Sequence, residues 1–84
     1  MKIRDGYILR RIADTAFAVS VRPEDAGAML RLNETGELLW RALEAGADED
    51  ALVTALCAEY DVDAATARAD VSRFLASIAP MLEQ

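Results

Sequence analysis

Up to residue 33 the apolar residues of this chain alternate with others, and beyond it they recur every three or four positions. A period of two puts alternate side chains on opposite faces of a strand. A period near 3.6 gathers them into one stripe along a helix. The switch therefore divides the chain into a β part followed by an α part. At 84 residues there is room for one domain, spanning residues 1–84. The fold class expected is α+β: a three-stranded antiparallel sheet packed on one side by three helices, related to winged helix-turn-helix folds.

The spacing predicts strands over residues 7–13, 16–21 and 28–32. Asp14-Thr15 reads as a tight turn joining the first two into a hairpin. In the second strand Phe17, Val19 and Val21 share one face, and Ala16, Ala18 and Ser20 the other. The alanine face is expected to be lightly packed or partly wet. Pro23 and Gly27 mark a loop. In the third strand Leu30 and Leu32 should face the core, with Met29 and Arg31 opposite.

Asn33, Asp48 and Asp63 each precede a helical pattern and suit N-cap positions. The first helix should run over residues 34–45 with Leu39, Trp40 and Leu43 inward, and end at Gly46. The second should reach about Tyr60, with Leu52, Val53, Leu56, Cys57 and Tyr60 on its stripe. The third is expected over residues 64–82, with Pro80 kinking or fraying its final turn. Ala67, Val71, Phe74 and Ile78 form the centre of its apolar stripe. One flank carries Arg68, Ser72, Leu75, Ala76 and Ala79. Its small side chains leave space beside the helix. If the third strand is a sheet edge next to that flank, the two enclose a groove suited to an extended peptide added as a further strand. An Ala-rich helix border with no ligand, and an edge merely protected from aggregation, give the same pattern.

Composition excludes several functions. A net charge of −6 and a pI of about 4.4 disfavour general nucleic-acid binding and adsorption to an anionic membrane. With no histidine, Ser-His-Asp chemistry is impossible, and a zinc site would depend on carboxylates. Cys57, the only cysteine, reads as a small buried hydrophobe, and Trp40 as a core anchor. The Asp61-Val62-Asp63 segment lacks the glycine and later ligands of a calcium loop. No apolar run approaches a membrane span, and no signal peptide is visible, so a cytoplasmic location is expected. No catalytic residue, metal site or cofactor is expected.

The segment from Leu32 to Trp40 reads LNETGELLW. Farther on come Glu59-Tyr60-Asp61-Val62 and then ATARADVSRFL from Ala65 to Leu75. In this order, after a hydrophobic hairpin, these motifs resemble the family of pyrroloquinoline quinone biosynthesis protein D, whose standalone and fused members are called RiPP recognition elements. The resemblance runs from about Tyr7 to Leu82. It implies a non-catalytic peptide chaperone. Such a module binds the leader segment of a ribosomally made precursor peptide and presents it to a modifying enzyme, often a radical S-adenosylmethionine enzyme. Carried over by position, the strand contacts would be Met29, Leu30, Arg31, Leu32 and Asn33. The helix contacts would be Arg68, Val71, Ser72 and Leu75. Val71 and Leu75 would receive apolar leader side chains, Arg68 a leader carboxylate, and Ser72 would give room and a hydrogen bond. Two other readings stay open: a DNA-binding winged helix, and an adaptor subunit that docks on an enzyme without peptide. Oligomeric state is also open, because exposed edges permit pairing between copies.

Overall fold

A computed structural model describes residues 1–25 and 29–83. The reversal expected at Gly27 and the start of a strand at Ala28 lie outside the described residues. Strand β1 (Tyr7–Ile12) pairs antiparallel with β2 (Thr15–Ser20), and β2 pairs antiparallel with β3 (Met29–Leu32), in the order β1-β2-β3. Helices α1 (Glu34–Ala45), α2 (Glu49–Glu59) and α3 (Ala64–Ser77) follow. Single 3-10 turns occupy Pro23–Asp25 and Ala79–Met81. The α+β class and the element order are those expected.

The hairpin turn lies one residue earlier than its expected position, at Ala13-Asp14, flanked by the pair Ile12–Thr15. Ala13 has φ 55, in the left-handed region. That geometry matches the right-handed twist of a hairpin but favours glycine. All three expected caps form. Asn33 Oδ1 accepts from Gly36 N–H at 2.7 Å, Asp48 Oδ1 from Ala51 N–H at 2.8 Å, and Asp63 Oδ1 from Thr66 N–H at 2.7 Å. Each cap stabilises its helix by about 1 kcal/mol. Thr66, through its backbone N–H and its hydroxyl, and the Ala65 N–H hold the Asp63 carboxyl below its ordinary pKa.

The core lies between the sheet and the helices. Trp40, Leu43, Leu52, Val71 and Ile78 are fully buried, with Leu39 and Leu56 nearly so. Tyr7 of β1 meets Trp40 edge-to-face, with ring centroids 5.9 Å apart. This arrangement reverses the expectation for β2. Ala16, Ala18 and Ser20 are the buried face, while Phe17 and Val19 are partly exposed on the other and Val21 is open to solvent. The reason is volume. The helices supply large side chains, Trp40 above all, so the strand beneath contributes small ones and the layers pack without voids.

Two further expectations are corrected. Cys57 is exposed, because the inward stripe of α2 is centred on Leu52, Val53 and Leu56 and Cys57 lies on its shoulder. Helix α3 ends at Ser77, not at residue 82. Pro80 has no N–H to continue the ladder and disfavours helical backbone at the residue before it. The chain then turns back to the N-terminal segment. Arg4 N–H donates to the Met81 carbonyl at 2.8 Å and Glu83 N–H to the Lys2 carbonyl at 2.7 Å, around an Ile3–Leu82 bridge. Ile3 is thereby buried in the core.

Candidate peptide-binding edge

Among the described residues β3 has a strand on one side only, and its other side is an open edge. Which backbone groups face that edge follows from the hairpin. A two-residue turn is closed by a hydrogen-bonded pair, here Ile12–Thr15, and such pairs alternate along an antiparallel ladder. Thr15, Phe17 and Val19 therefore direct their backbone groups to β1. The donation of Val21 N–H to the Gly6 carbonyl at 2.8 Å continues the same parity. Ala16 and Ala18 direct theirs to Leu32 and Leu30, their partners in β3. Leu30 and Leu32 are thus engaged with β2. Met29 and Arg31 point their N–H and C=O groups away from the sheet.

Beside this edge run two connected hollows. One, of about 180 Å³, is lined by Leu30, Arg31, Leu32, Asn33, Gly36, Phe74 and Ser77. The next, of about 260 Å³, is lined by Asn33, Thr35, Gly36, Leu39, Asp70, Arg73 and Phe74. Gly36 and Phe74 form the floor common to both. A Cβ at Gly36 would stand 3.1 Å from Asn33 Oδ1 and 3.3 Å from Phe74 Cε1. The glycine thus allows the start of α1 to approach the Phe74 ring closely. Asp70 and Arg73 form an ion pair on the outer rim. The groove offers a backbone wall, an aromatic floor and a charged lip.

A larger hollow, of about 560 Å³, lies elsewhere, among Arg11, Asp14, Glu34, Glu37, Leu38, Arg41, Glu59 and Tyr60. Its centre is the mostly buried Glu37, which accepts hydrogen bonds from both Arg11 and Arg41. These two guanidinium groups hold the Glu37 carboxyl below its ordinary pKa. The triad knits the hairpin to α1, with the one carboxylate engaged by both guanidinium groups. Among the described residues there is no cluster of three or more His, Cys, Asp or Glu able to hold a metal. Nor is any described helix long and apolar enough to cross a membrane.

The family model for coenzyme PQQ synthesis protein D (PqqD) matches residues 18–79, a span that contains β3, all three helices and the whole groove. The chain belongs to the PqqD family. Among solved structures, this PqqD-family chain is similar to TbiB1 in complex with the TbiA(beta) leader peptide. The identity is 33% and the TM-score 0.81, covering 99% of this chain and 95% of that one. It is also similar to a lasso peptide synthetase B1 complexed with the leader peptide. There the identity is 20% and the TM-score 0.76, covering 94% and 89%, a likeness of fold. Among curated proteins no relative matches.

In this PqqD-family fold the expected site residues fall into two groups. Met29, Leu30, Arg31, Leu32 and Asn33 lie together along the open edge. The expected helix residues do not join them. Arg68 donates to Asp50 Oδ1 at 2.8 Å and Ser72 Oγ to Glu49 Oε1 at 3.2 Å, so both lie against α2. Asp50 also holds the Arg68 pKa above its ordinary value. Val71 is fully buried, and Leu75 packs half-buried against the core. The flank of α3 that borders β3 is the opposite one, with Asp70, Phe74 and Ser77. Helical spacing gives α3 a flank on either side of its apolar stripe but does not say which neighbour each meets. A signal for the missing half was present in Gly36. Glycine in a helix is about 1 kcal/mol less favourable than alanine, so its place in the first turn suggests a close approach.

Proposed function

We propose that this protein is a non-catalytic module that captures the leader segment of a ribosomally made precursor peptide and presents it to a modifying enzyme. The leader adds as a fourth strand along β3, hydrogen-bonding to Met29 and Arg31. Its inward side chains settle over Gly36 and Phe74, and the Asp70–Arg73 pair meets its polar groups. The single observation that carries this reading is the row of outward backbone groups on β3 beside an open, aromatic-floored groove. It is supported by TbiB1, whose structure is a leader-peptide complex. Main-chain pairing supplies affinity in such strand addition, and the pockets supply selectivity. The modifying enzyme, of the radical S-adenosylmethionine kind that the resemblance implies or another, then acts on the segment beyond the leader.

The test is titration of the labelled protein with synthetic candidate leader peptides, followed by amide NMR. The expected result is a dissociation constant in the micromolar range or below, about −8 kcal/mol. The largest shifts and slowed exchange should fall at Met29 and Arg31. Saturable binding without perturbation of those amides refutes the strand-addition geometry, and no binding refutes the function.

The DNA-binding reading loses its physical basis in α3. Its two cations, Arg68 and Arg73, are paired with Asp50 and Asp70. A groove-reading helix needs such charges free for phosphates.

A further inference from the structure

The sheet has a second face, turned away from the helices, that leader capture along the β3 edge leaves uncovered. The register places Ile8, Val19 and Met29 in one row across the three strands, and Arg10, Phe17 and Arg31 in the next. Ile12 and Val21 lie on the same face by alternation. Met29, Ile12 and Val21 are 56%, 58% and 60% exposed, and Ile8 is exposed too. Four of the six large hydrophobic residues recorded as exposed among the described residues therefore share one side of one sheet. Scattered surface apolar groups are ordinary, but a contiguous apolar patch marks an interaction surface.

The charges on this face are as unusual as its apolarity. Arg11, Arg22, Arg41, Arg68 and Arg73 all form ion pairs, and Arg4 donates to the Tyr7 hydroxyl. Among the described residues Arg10 and Arg31 have no such partner, although the chain carries an excess of acidic residues. They flank Phe17 in one row. A chain of net charge −6 thus holds its two uncommitted arginines around an aromatic ring on its barest surface.

We propose that this outer sheet face docks a protein surface with an apolar centre and carboxylates at its rim, borne by the modifying enzyme that receives the peptide. Charge complementarity selects this occupant. A second copy of the same face would bring arginines against arginines. An anionic membrane calls for a denser basic cluster than two side chains on an acidic protein. Phe17 and the Ile8–Val19–Met29 row supply the desolvated centre. Arg10 and Arg31 steer the partner and fix its register. The identity of the partner rests on the proposed function, but the site lies on β1 and β2 as well as on the leader edge, so the two are separable. Arg10 is two strands away from the edge.

The experiment measures binding of the purified enzyme that modifies the captured peptide to the wild type and to an Ile8→Ser/Arg10→Glu variant, at low and at high salt. Leader affinity and thermal unfolding are measured on the same samples. The expected result is a loss of enzyme affinity of at least about tenfold in the variant, weaker wild-type binding at high salt, and unchanged leader affinity. Phe17→Ser is the second variant; it should lose enzyme affinity without touching Arg10. Enzyme that binds both variants as it binds the wild type, or that does not bind the wild type at all, overturns the proposal. So does a wild-type dimer that the variants dissolve, or wild-type binding to phosphatidylserine vesicles that they abolish. Failure of leader binding alone counts against the proposed function and leaves the enzyme measurement to decide the docking face.

Discussion

Two adjacent proline substitutions separate the open edge of β3 from its paired side. Arg31 forms a cross-strand pair with Phe17 in which neither backbone group enters the β2–β3 ladder. Arg31→Pro removes an N–H that points to the outside. The cost to the fold comes from the narrowed φ of proline, about 1–2 kcal/mol, since edge positions tolerate the residue. For a domain of this size that is a fall in Tm of about 4–16 °C. Leu30→Pro, one residue earlier, removes an N–H bonded to Ala18 across the ladder and truncates a side chain packed on the core. Together these should cost about 3 kcal/mol or more, a large part of a typical domain's stability.

Leader affinity reverses the ranking wherever both variants fold. In Arg31→Pro a leader carbonyl loses its donor as it enters the groove, at a cost of about 1–3 kcal/mol. That is about five- to 150-fold in the dissociation constant. Arg31→Ala corrects for the lost side chain and should bind more tightly than the proline variant. The assay is fluorescence polarisation of a labelled leader, read below the melting transition. Trp40, the only tryptophan and fully buried, reports independently that the core is intact. If Arg31→Pro binds as well as Arg31→Ala while folded, the outward N–H of Arg31 plays no part in recognition and the strand-addition geometry is wrong. If Arg31→Pro unfolds the protein as readily as Leu30→Pro, the Arg31 N–H is engaged within the sheet and does not face outward.

Other expectations test separate parts of the structure. Ala13→Gly relieves a non-glycine residue at φ 55 and should raise stability by up to about 1 kcal/mol in chemical denaturation. Phe74→Ala removes the groove floor and should weaken leader binding more than Ser72→Ala, which lies against α2; equal effects would place the leader on the other flank. Glu37 has a lowered pKa in the folded state, so its contribution is complete above the ordinary glutamate value and is lost as pH falls through the lowered one. A melting series toward about pH 3 should show a steeper acid loss for the wild type than for Glu37→Gln. Cys57 should react with a thiol reagent in the native protein nearly as fast as in denaturant, whereas a buried thiol would be protected.

The elements that could be read in advance are those specified locally. Asn33, Asp48 and Asp63 stand one residue before their helices and cap them with their own side chains, so sequence neighbours alone settle the matter. The alternation in β2 is equally plain, yet it does not say which face turns inward. Phe17 and Val19 are the more hydrophobic choice, and only the bulk of Trp40 on the opposing layer makes Ala16 and Ala18 the buried one. Burial is a property of two surfaces meeting, and a strand carries information about one of them. The N-terminal strap is harder still. Ile3 is buried because Leu82 and Leu43 lie beside it, some 80 and 40 residues along the chain.

The candidate site divides in the same way. The edge residues Met29 to Asn33 were legible because a short strand at the end of a meander has one neighbour, and its outward groups follow from the hairpin parity. The helix half depended on which side of α3 turns to α2. The ligand-like features of Arg68 and Ser72, a cation and a hydroxyl on a lightly furnished flank, are equally the features of a helix–helix contact with acidic partners. Glu49 and Asp50, at the start of α2, are those partners. Their carboxylates favour the positive end of the helix dipole and attract Arg68 at the same time. Once that flank is engaged, α3 turns Phe74 toward Gly36 and β3. The acids that suit the start of α2 therefore also decide which side of the third helix is left for a peptide.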